Sequence, residues 1–327
     1  MTATVPTKLS QAAAEFATAK VGTLFTDLPQ FGLIRFTGED AQSFLHGQLS
    51  CDVSGLQAGH AQYGSYNTPQ GRMLASFLLW HDDLGYAMQL PQTLCASIQV
   101  RLARYILRAK VTATNVSGEC GLLGLAGANA EAVLASCFPA PPAAVLTLTT
   151  VGKVSVLRVS ANRYLIMADP ENTSKLKELL SKAAAIATPE FWNWLDIRAG
   201  IAYITPETQD QFVPQMANLD LIGGVSFSKG CYPGQEIVAR MHYLGRLKQR
   251  MYLANLVADE APAPGDKLYS EDFGGQACGM IVNAAPSPDG GHDVLAVMQI
   301  ESADRGAVHY QSPAGAALRL LELPYKP

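Results

Sequence analysis

Residues 229–240 hold a dense run of side chains that could do chemistry: Lys229-Gly230-Cys231-Tyr232-Pro233-Gly234-Gln235-Glu236, then Ile237-Val238-Ala239-Arg240. A thiol reacts as its thiolate, and neighbouring positive charge favours that form. Cys231 stands two residues after Lys229 and just before a Tyr-Pro-Gly turn, which puts it on a loop near positive charge. A cysteine taken at random is more often an inert buried hydrophobe, so its setting is what singles out Cys231. Glu236 could be a general base or a ligand for a polar ring edge; a helix-start acid after Gly234 is an equal reading. Asp196 is open in the same way, between a pocket acid and a helix cap.

Upstream, residues 189–196 (PEFWNWLD) hold Trp192 and Trp194, two of the three tryptophans. Core packing is the commoner role of such side chains. A polar loop then leads to Phe212-Val213-Pro214-Gln215-Met216-Ala217-Asn218-Leu219. Downstream, Arg240, His242, Arg246, Lys248 and Arg250 form a cationic patch in a chain of net charge −4. The last three alternate along an expected strand and would share one face. A solvated face is the plain explanation; a landing site for an anionic tail or for nucleic-acid phosphate is the other.

The elements that must position these groups are legible from pattern. Residues 31–37 read as a strand, and Gly38-Glu39-Asp40 opens a short helix through Phe44 and Leu45. A hairpin–helix unit follows: strands 73–80 and 85–90 around His81-Asp82-Asp83, then a helix with apolar spacing through Leu94, Ile98, Leu102 and Ile106. A second unit has strands 153–159 and 163–168 around Ser160-Ala161-Asn162. Asp169-Pro170 then caps and opens a helix carrying Leu176, Leu179 and Leu180. Strand pairs with short polar turns before each helix favour an α+β layer over a doubly wound parallel sheet. Residues 139–142 are a crossing between the units. From Arg246 onward, short strands (250–256, 266–269, 278–283, 294–299, 318–323) alternate with Gly- and Pro-rich turns, the pattern of a small antiparallel barrel. The expected division is a two-lobed region over 1–245 and a barrel over 246–327.

Composition narrows the class. The 327 residues are 48% hydrophobic but only 16% charged, where roughly 25% is usual. That excludes a disordered chain, and the net charge of −4 argues against a polybasic surface. No run approaches the ~18 uninterrupted apolar residues of a spanning helix. The N-terminal stretch has neither the apolar core of a signal peptide nor the arginines of a transit peptide. Cys51, Cys95, Cys120, Cys137, Cys231 and Cys278 form no C-x-x-C pair. This spacing argues against zinc and disulfide frameworks and for a reduced cytoplasmic protein, with no membrane partner.

The run K-G-C-Y-x-G-Q-E followed by A-R, with F-x-P-Q-x-x-N-L upstream, resembles the YgfZ family of folate-binding, tRNA-modifying proteins, linked to maintenance of iron–sulfur enzymes. The family is similar to the glycine-cleavage aminomethyltransferases (T proteins). The likeness extends from Gly38-Glu39-Asp40-Ala41 and Leu45-His46-Gly47-Gln48 to the C-terminal barrel. It implies a T-protein-like α+β fold, three-lobed around a cavity for tetrahydrofolate. It further implies folate contacts by the aromatic rings of Phe31 and Trp192. Gln215 and Asn218 are amides of the right kind for the pterin edge. Tyr232, Gln235, Glu236 and Arg240 are further candidates. Cys231 becomes a functional thiol facing the cavity, with Lys229 as its neighbour.

One departure bears on activity. T proteins resemble this chain around Gly71 but carry paired aspartates where Leu74-Ala75 stand here. Without a carboxylate to manage protons on the folate nitrogen, ordinary aminomethyl transfer is not expected. The leading expectation is a tetrahydrofolate-binding factor that supports iron–sulfur enzymes, including tRNA-thiolating ones. A true aminomethyltransferase and a non-catalytic RNA-binding or scaffold protein are the alternatives.

Overall fold

A computed structural model of the chain describes residues 8–306 and 308–326. It begins with α1 (Lys8–Val21) and β1 (Leu24–Asp27). A first sheet then forms from β2 (Phe31–Thr37), β3 (Ala61–Asn67), β4 (Met73–Asp82), β5 (Gly85–Pro91) and β6 (Thr112–Asn115). Its order is β3-β4-β5-β2-β6, antiparallel throughout. It is accompanied by α2 (Ala41–Gln48) and α3 (Gln92–Ala103). The strand β4 is buried along nearly its whole length, so it reads as a continuous apolar run instead of alternating. In α3 the buried residues Leu94, Cys95, Ile98 and Leu102 make one stripe facing the sheet. Ile106, expected on that stripe, lies beyond the helix end. The chain tightens there into i→i−3 bonds, Tyr105 N–H to Leu102 O and Ile106 N–H to Ala103 O.

The second sheet contains β7 (Gly121–Ala126), β8 (Leu148–Val151), β9 (Val154–Ser160), β10 (Arg163–Ala168) and β11 (Ala185–Ile186). With β1 included, its order is β11-β1-β7-β10-β9-β8. The helices α4 (Ala130–Cys137) and α5 (Pro170–Leu180) share a core with it. Asp169 caps α5 as the sequence indicates, its carboxylate accepting from the Asn172 N–H at 2.9 Å. Both hairpin–helix units are therefore present, one in each of the first two sheets.

After α6 (Pro189–Arg198), a long irregular segment leads to α7 (Gln235–Tyr243). The third sheet follows: β12 (Gln249–Leu256), β13 (Lys267–Tyr269), β14 (Ala277–Pro286), β15 (His292–Gln299), β16 (His309–Tyr310) and β17 (Arg319–Leu321), with α8 (Ile300–Arg305) between β15 and β16. Its order is β16-β13-β14-β15-β12-β17, and it curls into a half-barrel. The edges are drawn together by Tyr310 N–H to Ala316 O at 2.8 Å and Leu318 N–H to Val308 O at 2.9 Å. Because β12 begins at Gln249, Arg246 and Lys248 lie in the segment leading into the strand, and Arg250 alone of the three is within it. One apolar cluster joins the first lobe, α6 and the inner side of the half-barrel, so the three lobes meet around α6.

Candidate functional site

At that junction lies a cavity of about 390 Å³, within the size range of small-molecule pockets. The first lobe contributes Phe31, Pro91 and Gln92; α6 and the chain after it contribute Asp196, Ile197, Ile201 and Tyr203; the half-barrel closes it with Asn283 and Ala284. The Phe31 and Tyr203 rings meet at 4.8 Å between centroids, tilted by 58°. Asn283 fixes the loop beside them: its Oδ1 accepts from Tyr203 N–H and its Nδ2 donates to Tyr203 O, both at 2.9 Å.

Within this mostly apolar lining Asp196 is the charged group. Arg163 of β10 donates to its Oδ1 at 2.6 Å, and both residues are buried. The second oxygen, Oδ2, is buried and accepts no hydrogen bond among the described residues. Burial pushes the Asp196 pKa up while the Arg163 guanidinium opposes that shift. A buried acceptor without a donor is costly. Of the two readings of Asp196 from sequence, the pocket acid is the one its position matches.

The other sequence candidates separate. Phe31 lines the cavity, but Trp192 stands behind it. Its ring packs on Gly124 of β7 and under the Arg163 guanidinium, 4.3 Å from the ring centroid. Trp192 thus supports the arginine that holds Asp196, and it is absent from the cavity wall. Gln215 and Asn218, expected at a ring edge, are buried in the support of the half-barrel. Gln215 Nε2 donates to Val238 O at 2.6 Å and Asn218 Nδ2 to Met251 O at 2.8 Å. Arg250 does not serve a phosphate stripe: it pairs with both oxygens of Asp220, at 2.8 and 3.1 Å.

The 229–240 run sits apart from the cavity. Lys229 turns its ammonium to the carbonyls at the end of α2, those of His46, Leu49 (2.6 Å) and Cys51 (3.1 Å). Desolvation pushes its pKa down to about 8. The same ammonium lies over the buried Tyr232 ring at 4.9 Å, and Gln235 Nε2 donates to Lys229 O at 3.3 Å. Gly234 lies so close to Gly71 that a Cβ there would come within 2.5 Å of Gly71 Cα, and its φ of +80° is one that glycine adopts freely. The loop is thus pinned on the β3–β4 turn. Cys231 is exposed on it and is not among the cavity-lining residues, contrary to the expectation that it faces the cavity. Glu236 is exposed in the first turn of α7, where an acid complements the helix N-terminus, and Arg240 is exposed further along.

Sequence reasoning missed Arg163, Ile201, Tyr203 and Asn283. Arg163 gave one signal, a lone cation heading an otherwise apolar strand. The other three are unremarkable in type and matter only through where the lobes meet. Leu74 and Ala75 are buried in β4 and supply no carboxylate.

A family model for the GCVT N-terminal domain matches residues 6–165. Among solved structures, glycine cleavage system aminomethyltransferase T from Bartonella henselae superposes with a TM-score of 0.78, covering 96% of this chain and 89% of that one at 15% identity. By fold, then, this is an α+β protein of the T-protein kind with a small-molecule-sized cavity at its centre. Among curated proteins, the tRNA-modifying protein YgfZ of Sodalis glossinidius is 31% identical over 91% of this chain and 92% of its own length. That of Yersinia enterocolitica is 31% identical over 91% of each chain. The chain belongs to the YgfZ family. Among the described residues no helix is long and apolar enough to cross a membrane.

Proposed function

We propose that this protein is a tetrahydrofolate-binding factor that supports iron–sulfur enzymes and through them tRNA modification. The observation that carries the folate half is the unpartnered Oδ2 of Asp196, the charged residue in a mostly apolar cavity lining. A pterin presents the matching features, a flat ring with N–H donors along one edge. Phe31 and Tyr203 would present it an aromatic wall, Asp196 would accept from its edge, and Arg163 would keep that carboxylate oriented. When bound, the folate supplies a one-carbon carrier; the chain's own residues bind and orient it and exclude water. The tRNA half is supported by the name its relatives carry. Cys231, exposed on a pinned loop, would act as a thiol offered to a partner protein at the surface.

Titration with tetrahydrofolate, followed by tryptophan fluorescence and thermal shift, tests the binding half. The native protein should show saturable quenching and a raised melting temperature. Ala284→Phe, which fills the cavity from β14, should lose both while remaining folded. Absence of any response in the native protein overturns the reading. For the thiol, Cys231→Ala should fold normally yet fail to restore growth and tRNA thiolation in a deletion strain.

A further inference from the structure

Residues 84–118 carry four cations, Arg101, Arg104, Arg108 and Lys110, and no acid, in a chain of net charge −4. Lys110 is paired with Glu39 at 2.7 Å, and Arg101 stands beside the Tyr66 hydroxyl. Arg104 and Arg108 are exposed and have no carboxylate partner among the described residues. Along the C-terminal half of α3 runs an open groove of about 850 Å³. Leu74, Ile98 and Val100 give it an apolar floor; Arg101, Arg104 and Tyr105 form its rim, and no acid lines it. Tyr105 is 51% exposed, so its ring is accessible beside these cations.

We propose that this groove binds a single-stranded segment of RNA, with backbone phosphates on Arg101 and Arg104 at its rim and on the exposed Arg108 outside its lining, and an unstacked base against Tyr105. Each part of the groove answers a part of that ligand. Guanidinium groups pair with phosphate in a planar fork, and every base offers a π-face to an exposed aromatic ring. An acidic peptide would use the cations but leave the ring and apolar floor without a purpose. A lipid surface is too flat to enter the groove. The expected 240–250 stripe is a weaker candidate, because Arg250 is consumed by Asp220 and the remaining cations share no strand face. The helix α3 also links the two sites. Its first residues, Gln92 and Thr93, line the central cavity, and Arg104 lies about 18 Å further on at 1.5 Å per residue. This inference does not depend on folate binding, and its readout is independent of it.

The test is fluorescence anisotropy of a short labelled single-stranded RNA against the full chain at graded potassium chloride, with a labelled polyglutamate peptide of equal charge alongside. The native protein should bind the RNA with steep salt dependence and bind the peptide at least about tenfold more weakly. Arg104→Gln with Arg108→Gln, both at exposed positions, should weaken RNA binding about tenfold and reduce the salt slope by about 1.4. Tyr105→Ala should weaken it about tenfold with the salt slope unchanged. Neutralising Arg240, Arg246 and Lys248 together should leave affinity within about twofold. Native protein that ignores RNA, equal affinity for the peptide, or arginine and tyrosine variants that bind like the native chain would each overturn the proposal. So would loss of binding on neutralising only the 240–248 cations.

Discussion

The Lys229 ammonium, directed at three carbonyls closing α2, acts on a helix end and on the buried Cys51 beside it, while Cys231 two residues on is exposed to solvent. Reactivity among the cysteines should therefore follow exposure. Iodoacetamide added to native protein should label Cys231 first, and peptide mapping should find Cys51, Cys95 and Cys278 labelled only after unfolding. Preferential labelling of a buried thiol would contradict the structure. Cys51 also carries a pH prediction. Burial pushes its pKa up to about 12 from an ordinary 9.0. The unfolded thiol thus loses its proton at lower pH than the folded one. Its contribution to stability is complete below pH 9.0 and declines as pH rises towards about 12. Urea midpoints measured across that window should fall more steeply for the native protein than for Cys51→Ala; parallel curves would count against it. The Lys-x-Cys spacing was legible, but which way each side chain turns was not, since a loop residue's orientation is set by what the loop rests on.

At the scale of elements, α6 holds the site by gripping the second sheet and the half-barrel. Trp192 packs on Gly124 of β7, Asp196 binds Arg163 of β10, and Trp194 Nε1 donates to Asp293 Oδ2 of β15 at 2.9 Å. A Cβ at Gly124 would fall 2.3 Å from the Trp192 ring. Gly124→Ala should therefore displace α6 and cost about 1–3 kcal/mol in urea denaturation, with a shifted tryptophan emission maximum. A neutral result would mean the ring is not seated against that strand. The helices and hairpins themselves were readable because periodicity and capping are local. The end of α3 was not: the apolar spacing continues to Ile106, yet Leu107 takes a φ of +44° and the segment turns away.

At the scale of the whole molecule, the Arg163–Asp196 pair clamps the second lobe to α6 at the point where all three lobes meet. Asp196→Asn leaves a buried guanidinium without its anion and should cost about 3 kcal/mol in urea-monitored stability. On the proposed folate reading it should also remove the stabilisation expected from saturating tetrahydrofolate, about 2.7 kcal/mol at a hundredfold excess over Kd. An Asp196→Asn protein as stable as the native one would show that the pair does not hold the junction. The low charge content, 16%, fits a molecule whose lobes bury much of their surface against one another.

The sequence by itself determined the elements, the α+β class, the curled C-terminal sheet and the family, because these follow from local periodicity, turn chemistry and a long run of uncommon residues. Only the tertiary structure decided the site. It turned Asp196 into a pocket acid, set Trp192 behind the wall, moved Gln215, Asn218 and Arg250 into structural roles, and put Cys231 on the surface. The reason is physical. The cavity is lined by residues from Pro29 to Ala284, far apart in the chain, and their proximity comes from three lobes burying apolar surface against a shared helix.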